Sequence, residues 1–188
     1  FVTVIEADRV GARAVSVAEL VETQAGVRVR TVGGPGTFAA ASLRGADATQ
    51  VAVLLDGVPL NRASTGTVDL AQIPVEAIER VEIWRGFVPP ELGAPAIGGA
   101  INLVTRKGSR APAWRASLGG GTLGMRSASV GHGFGGRALH ADASAAYRGG
   151  DGAFLYYYDN GTLTGADDQP ERRRNNDFNQ GAADVSLG

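Results

Sequence analysis

Residues 51–107 constrain the fold most. Val51-Ala52-Val53-Leu54-Leu55 is a continuous apolar run of the kind buried on both faces of a sheet. Val81, Ile83 and then Ile101-Asn102-Leu103-Val104 have the β-branched bias and the length of further strands, punctuated by Gly86, Gly93, Gly98 and Gly99. Their connection holds Pro89, Pro90, Gly93 and Pro95 and is therefore stiff. Asp56-Gly57 closes the first run with turn chemistry. Pro74 suits a first helical position, and Val75, Ile78 and Val81 have the spacing of a short amphipathic turn that leads into a strand at Val81.

Upstream, Ser16 is placed to cap the amide of Glu19, with Glu19 reaching back, ahead of a helix that buries Val17, Leu20 and Val21. Gly26 is expected to supply its left-handed stop. Val27-Arg28-Val29-Arg30 reads as a half-exposed strand, Gly33-Gly34-Pro35-Gly36 as a loop, and residues 40–43 as another strand. These pieces describe a small α+β domain over residues 1–112 with enough chain for one core.

After Pro112 the pattern changes to period two. Trp114, Ala116 and Leu118 alternate with Arg115, Ser117 and Gly119, and residues 128–134, 139–147 and 183–187 repeat the pattern. One apolar face and one small polar face suit lipid-facing barrel strands, although a soluble antiparallel sheet alternates in the same way. Residues 113–188 suffice for about four spanning strands, whereas a closed barrel needs at least about eight. The chain is thus expected to be a fragment. There is no apolar run of about 20 residues, so no transmembrane helix is expected.

The net charge of −1 argues against nucleic acid as a partner. With no cysteine, a disulfide framework and a thiolate metal site are excluded. Gly119-Gly120-Gly121-Thr122-Leu123-Gly124 fits a dinucleotide pattern, but alternation rather than a helix follows, so it reads as a turn between strands. His132 and His140 fall in separate strand segments and suggest no metal site. No catalytic constellation emerges, so no enzyme is expected and no cofactor is implied. In the long polar stretch 149–177, Asp159, Asp167 and Asp168, with Asp151 and Asn160, are oxygen donors that suit calcium, though such loops are more often simply solvated.

Four ordered motifs carry a family resemblance: Ser42-Leu43-Arg44-Gly45; Val53 through the turn to Pro59-Leu60-Asn61; Glu79-Arg80 with Arg85-Gly86; and Gly98-Gly99-Ala100-Ile101-Asn102 with Thr105. Together they resemble the plug of the TonB-dependent outer-membrane receptors, with Arg44-Gly45-Ala46-Asp47 and residues 56–61 most like the cobalamin receptors. Leu92 stands where that family usually has Tyr before the second loop glycine.

The resemblance implies an α+β plug over residues 1–112, a small mixed sheet with short helices, and the first strands of an antiparallel β-barrel over 113–188. It further implies energy-coupled import of a large ligand such as cobalamin across the outer membrane of a Gram-negative bacterium. The alternatives are a siderophore receptor and a non-transporting surface or periplasmic interaction module. A TonB-type protein would be the energising partner, engaged through a segment expected to lie outside this chain, as would any export signal. Arg44 and Arg85 correspond to arginines that lock plug to barrel through barrel glutamates. Ligand contact is expected at residues 61–67, through Asn61, Arg62, Ser64, Thr65 and Thr67, and at residues 87–95, through Phe87. The 149–177 stretch is expected to face outward, with the short Gly135-Gly136 connection on the periplasmic side.

Overall fold

The computed structural model describes residues 2–10, 16–34, 36–92, 97–107, 112–136, 139–158, 161, 168–174 and 176–187. The first domain is built on a five-stranded mixed sheet. Its strands are β1 (Val2–Glu6), β4 (Val51–Leu55), β5 (Val58–Pro59), β6 (Ile78–Trp84) and β7 (Gly99–Thr105), in the order β1-β6-β7-β4-β5. β4 and β7 pair in parallel and the other pairs are antiparallel. A separate antiparallel pair, β2 (Val27–Thr31) with β3 (Ala39–Leu43), packs with α2 (Val17–Glu22) against it. A four-residue helical turn, α1 (Ala7–Val10), follows β1.

The core forms where these layers meet: Val17, Leu20, Val21, Leu43, Val51, Leu70, Val81, Ile83, Ile101 and Leu103 are wholly buried. The Ser16 hydroxyl accepts from the Glu19 amide at 3.4 Å, as expected of the helix cap. Glu19 reaches back to the Ser16 hydroxyl (3.5 Å) rather than to its amide. Gly26 does adopt φ +76°, but it turns the chain into β2, the helix having already ended at Thr23. Gly99 is obligatory at φ +122°, because a Cβ there would collide with the carbonyl oxygen of Trp84.

One element differs from expectation. Pro74 is an extended cap on a 3-10 turn, Val75–Ala77, and the strand begins at Ile78. The register with β7 slips between Ile78 and Arg80, which places an extra residue on β6. Three-residue spacing cannot keep two side chains on one face of a regular strand, but a bulge allows it. Ile78 and Val81 are therefore both buried on a strand, where their spacing suggested a helical turn.

The second unit is a four-stranded antiparallel sheet of β8 (Ala113–Gly120), β9 (Arg126–Gly135), β10 (His140–Gly150) and β13 (Phe178–Leu187), in the order β13-β10-β9-β8. Between β10 and β13, the stretch expected to be a plain loop contains a two-stranded ribbon, β11 (Leu155–Tyr158) with β12 (Gln169–Arg172). The glycine run at residues 119–124 is a strand end and a turn, with Leu123 at φ 59° and Gly124 at φ 68°. Among the described residues the sheet does not close on itself, and β8 and β13 are its edges. Among the described residues no helix is long and apolar enough to cross a membrane.

Candidate functional site: the loop end of the first domain and its seam with the second sheet

Three of the four sequence motifs are knitted together by hydrogen bonds. The Asn102 side chain, 6% exposed, accepts the Gly57 amide (3.0 Å) and donates to Glu82 (3.1 Å), which in turn accepts from Arg80 (2.9 Å). Asp56, at φ 49°, accepts the Thr105 amide at 3.0 Å and its hydroxyl. Asp56 is thus a turn residue tied to a neighbouring strand end.

The 61–67 loop leaves β5 and runs back to the β4 start. Asn61 pins it there: its amide accepts from Val53 N–H (2.8 Å) and donates to the carbonyls of Val51 (3.0 Å) and Gly66 (2.8 Å). With both donors and one acceptor site engaged inside the domain, Asn61 shapes the loop. Arg62, Ser64 and Thr65 are exposed, and Thr67 is half-buried beside Thr65 (Oγ1 to Oγ1, 3.4 Å). Gly66 packs on Thr49, in the turn that Asp47 caps. Hydrogen bonds from the Thr49 amide and hydroxyl hold the Asp47 carboxyl below its ordinary pKa.

Register places Gly86 and Gly98, which bracket the second loop, at the same end of the sheet. Phe87 is 74% exposed there. The loop then runs back along the domain until Leu92 lies near Gly57 at the far turn. Residues 93–96 lie outside the described residues, as do the calcium candidates Asp159 and Asp167. Asp168 is half-buried, and among the described residues no group of three His, Cys, Asp or Glu side chains is placed to hold a metal.

Arg44 and Arg85, 41 residues apart in sequence, converge over Gly26. Arg85 donates to the Thr3 hydroxyl (2.7 Å), while its Nε is buried without an acceptor among the described residues. Arg44 is exposed at φ 51°. Neither is paired with a glutamate among the described residues.

The second sheet presents two unlike faces. Trp114, Leu118, Val185 and Leu187 point outward at 75%, 85%, 74% and 71% exposure, with Val130, Phe134 and Tyr147 on the same face. His132 belongs to this face too, stacked on Trp114 with ring centroids 4.2 Å apart. The other face is small and polar and lies against the first domain. Gln180 donates to the Gly36 carbonyl (2.7 Å), Ser186 to the Arg106 carbonyl, and the Phe178 ring lies where a Cβ on Gly36 would be. A cavity of about 150 Å³ opens along this seam, with Asp8, Glu76 and Arg106 on one side and Arg115, Ser129 and Ser144 on the other. Arg106 donates to both carboxylate oxygens of Asp8 (2.7 and 3.3 Å), and chiefly for that reason the Asp8 pKa is lowered from 3.8.

A family model described as TonB-dependent Receptor Plug Domain matches residues 1–100. The chain belongs to this family. It is 37% identical over 115 residues to the vitamin B12 transporter BtuB of Vibrio cholerae, an alignment that covers 61% of this chain and 19% of the transporter. The chain therefore spans about a fifth of the length of the curated relatives it matches. Among solved structures, the siderophore receptor PiuA of Acinetobacter baumannii superimposes with a TM-score of 0.64 at 18% identity, over 80% of this chain and 21% of that one. The ferric yersiniabactin uptake receptor FyuA of Yersinia pestis gives 0.63 at 23% identity, over 80% and 24%. These two likenesses establish the fold: a plug followed by antiparallel strands.

Proposed function

We propose that the chain is part of an energy-coupled outer-membrane receptor that imports a large, scarce ligand, with cobalamin the first candidate. In this reading residues 1–112 form the plug and 113–188 the first strands of the barrel around it. The observation that carries the reading is the pairing of faces in the second sheet. Large apolar side chains stand exposed on one side, as a lipid-facing wall requires, while serines, glycines and paired charges meet the plug on the other. The 37% identity to a vitamin B12 transporter supports cobalamin over other ligands.

Ligand contact is assigned to Arg62, Ser64, Thr65 and Phe87, which are exposed, with the half-buried Thr67 and Asn61 beside them, a mixture of charge, hydroxyls, one amide and one apolar ring suited to a large polar molecule. Arg44 and Arg85 are assigned to the barrel lock. The buried Nε of Arg85 supports this, since a buried donor without an acceptor calls for a partner. A TonB-type protein supplies the energy, and ligand binding shifts the plug between two states.

The test is growth. A cobalamin-requiring strain without its own receptor, carrying the full-length gene, should grow on low cobalamin only when its energising protein is intact. Growth on a ferric chelate instead would reassign the receptor to siderophores. Correct membrane insertion with neither uptake would leave a non-transporting interaction module.

A further inference from the structure

The wall sheet and the plug also meet through opposite charges in a sense contrary to the Arg44 and Arg85 lock. Arg148 lies on β10 facing the plug, with its Nε donating to Gln180 (2.6 Å), which itself donates to the plug at Gly36. β10 packs directly on the 3-10 turn that carries Glu76. Arg148 and Glu76 line the same small cavity of about 40 Å³, a space that suits a bridging water and is far too small for a ligand. The Oε2 of Glu76 is buried without a hydrogen-bond partner among the described residues. A buried carboxylate oxygen with no donor is costly, and a guanidinium across a small cavity is the group that would relieve it. Of the plug carboxylates, those of Glu19, Glu76 and Asp69 bear on Arg148, and they come from three separate plug segments. Asp69 is already engaged by the amides of Ala39 and Ala71, and of the three carboxylates it is Glu76 that shares the small cavity with Arg148 and has a buried oxygen without a partner among the described residues.

We propose that Glu76 on the plug and Arg148 on the wall form an ionic clasp that holds the Val75–Ala77 turn against the barrel and must open when the plug rearranges. Arg148 is a positioning residue for the plug and touches no ligand. The clasp rests on the reading of residues 113–188 as barrel wall.

The test is amide hydrogen exchange on the full-length receptor in membrane, read at residues 75–78. Glu76→Gln and Arg148→Gln should each speed exchange there about tenfold, and the double variant should be no faster than either, because one interaction is lost once. Arg148→Lys, which keeps the charge without the planar fork, should fall between. Unchanged exchange, or effects that multiply to about a hundredfold in the double variant, would overturn the clasp. If Arg148→Gln fails to insert, Glu76→Gln alone decides: parental exchange rejects the clasp. Exchange is read whether or not cobalamin is taken up, so coupled exchange in a receptor that imports nothing would sink the transport reading and leave the clasp standing.

Discussion

Arg115 on β8 reaches across β9 to Asp142 on β10, with one guanidinium nitrogen 2.7 and 2.8 Å from the two carboxylate oxygens. It passes over Gly131, where a Cβ would come within 2.9 Å of that nitrogen. The Asp142 side chain is 1% exposed and that of Arg115 31%, so removing the arginine strands a buried carboxylate. Breaking one side of such a pair costs about 3–5 kcal/mol. Arg115→Met in the full-length receptor should lower its urea midpoint sharply, and Gly131→Ala should do so more weakly by displacing the guanidinium. Arg115→Met with Asp142→Leu should recover much of the loss. A parental midpoint for Arg115→Met would show that the pair contributes nothing.

The bond from Gly57 N–H to Asn102 makes a comparable prediction inside the plug. Asn102→Ala leaves that amide without its acceptor and Glu82 without one of its donors, at a cost of about 1–3 kcal/mol. Asp56→Ala and Thr105→Val remove the two ends of one contact, so their effects on chemical unfolding should fall short of additive. Strict additivity would mean the two residues act separately.

How much of this was legible in sequence depends on the range of the interaction. The alternation that builds β8, β9, β10 and β13 lies in adjacent residues, and their exposed apolar face follows from it directly. Ile78 and Val81 misled because their spacing fits a helical turn and a bulged strand equally well, and only the partner strand decides. The bonds that Asn61 makes to Val51 and Val53 are not legible in sequence, because nothing there says that the loop folds back onto β4. Arg115 with Asp142, and Glu76 across its small cavity from Arg148, are not legible in sequence for the same reason: each is brought together only when strands or domains are assembled. A clue to the first did exist in Gly131, a glycine in a strand, which often marks a close approach.

The Asp8–Arg106 pair predicts a pH dependence. Its folded pKa lies below 3.8, so the pair adds stability above 3.8 that is lost as pH falls through the lower folded value. The Asp8 side chain is 72% exposed, which keeps the effect small. In chemical unfolding, Asp8→Asn should lie below the parent by a constant margin above about pH 5, with the two curves converging below 3.8. A margin that persists unchanged into strong acid would show that the asparagine acts through something other than charge.

The ligand assignment is best tested with Asn61 left in place. Because Asn61 bonds Val51, Val53 and Gly66, its removal would loosen the loop and lower affinity even if no ligand touched it. Arg62, Ser64 and Phe87 have exposed side chains, so truncating them alters the surface offered to a ligand with little cost to the fold. Each lost neutral hydrogen bond is worth about 0.5–1.5 kcal/mol and a charged one about 1.5–3, so single changes are hard to resolve and a combination is needed. Full-length receptor with Arg62→Ala, Ser64→Ala and Phe87→Ala should bind cobalamin at least tenfold more weakly while its unfolding midpoint stays near the parent's. Asn61→Ala should instead lower affinity and midpoint together. Parental affinity in the triple variant would move the binding surface off the plug loops and onto the barrel, because the end of the plug sheet that holds both Gly86 and Asn61 would then be carrying no ligand at all.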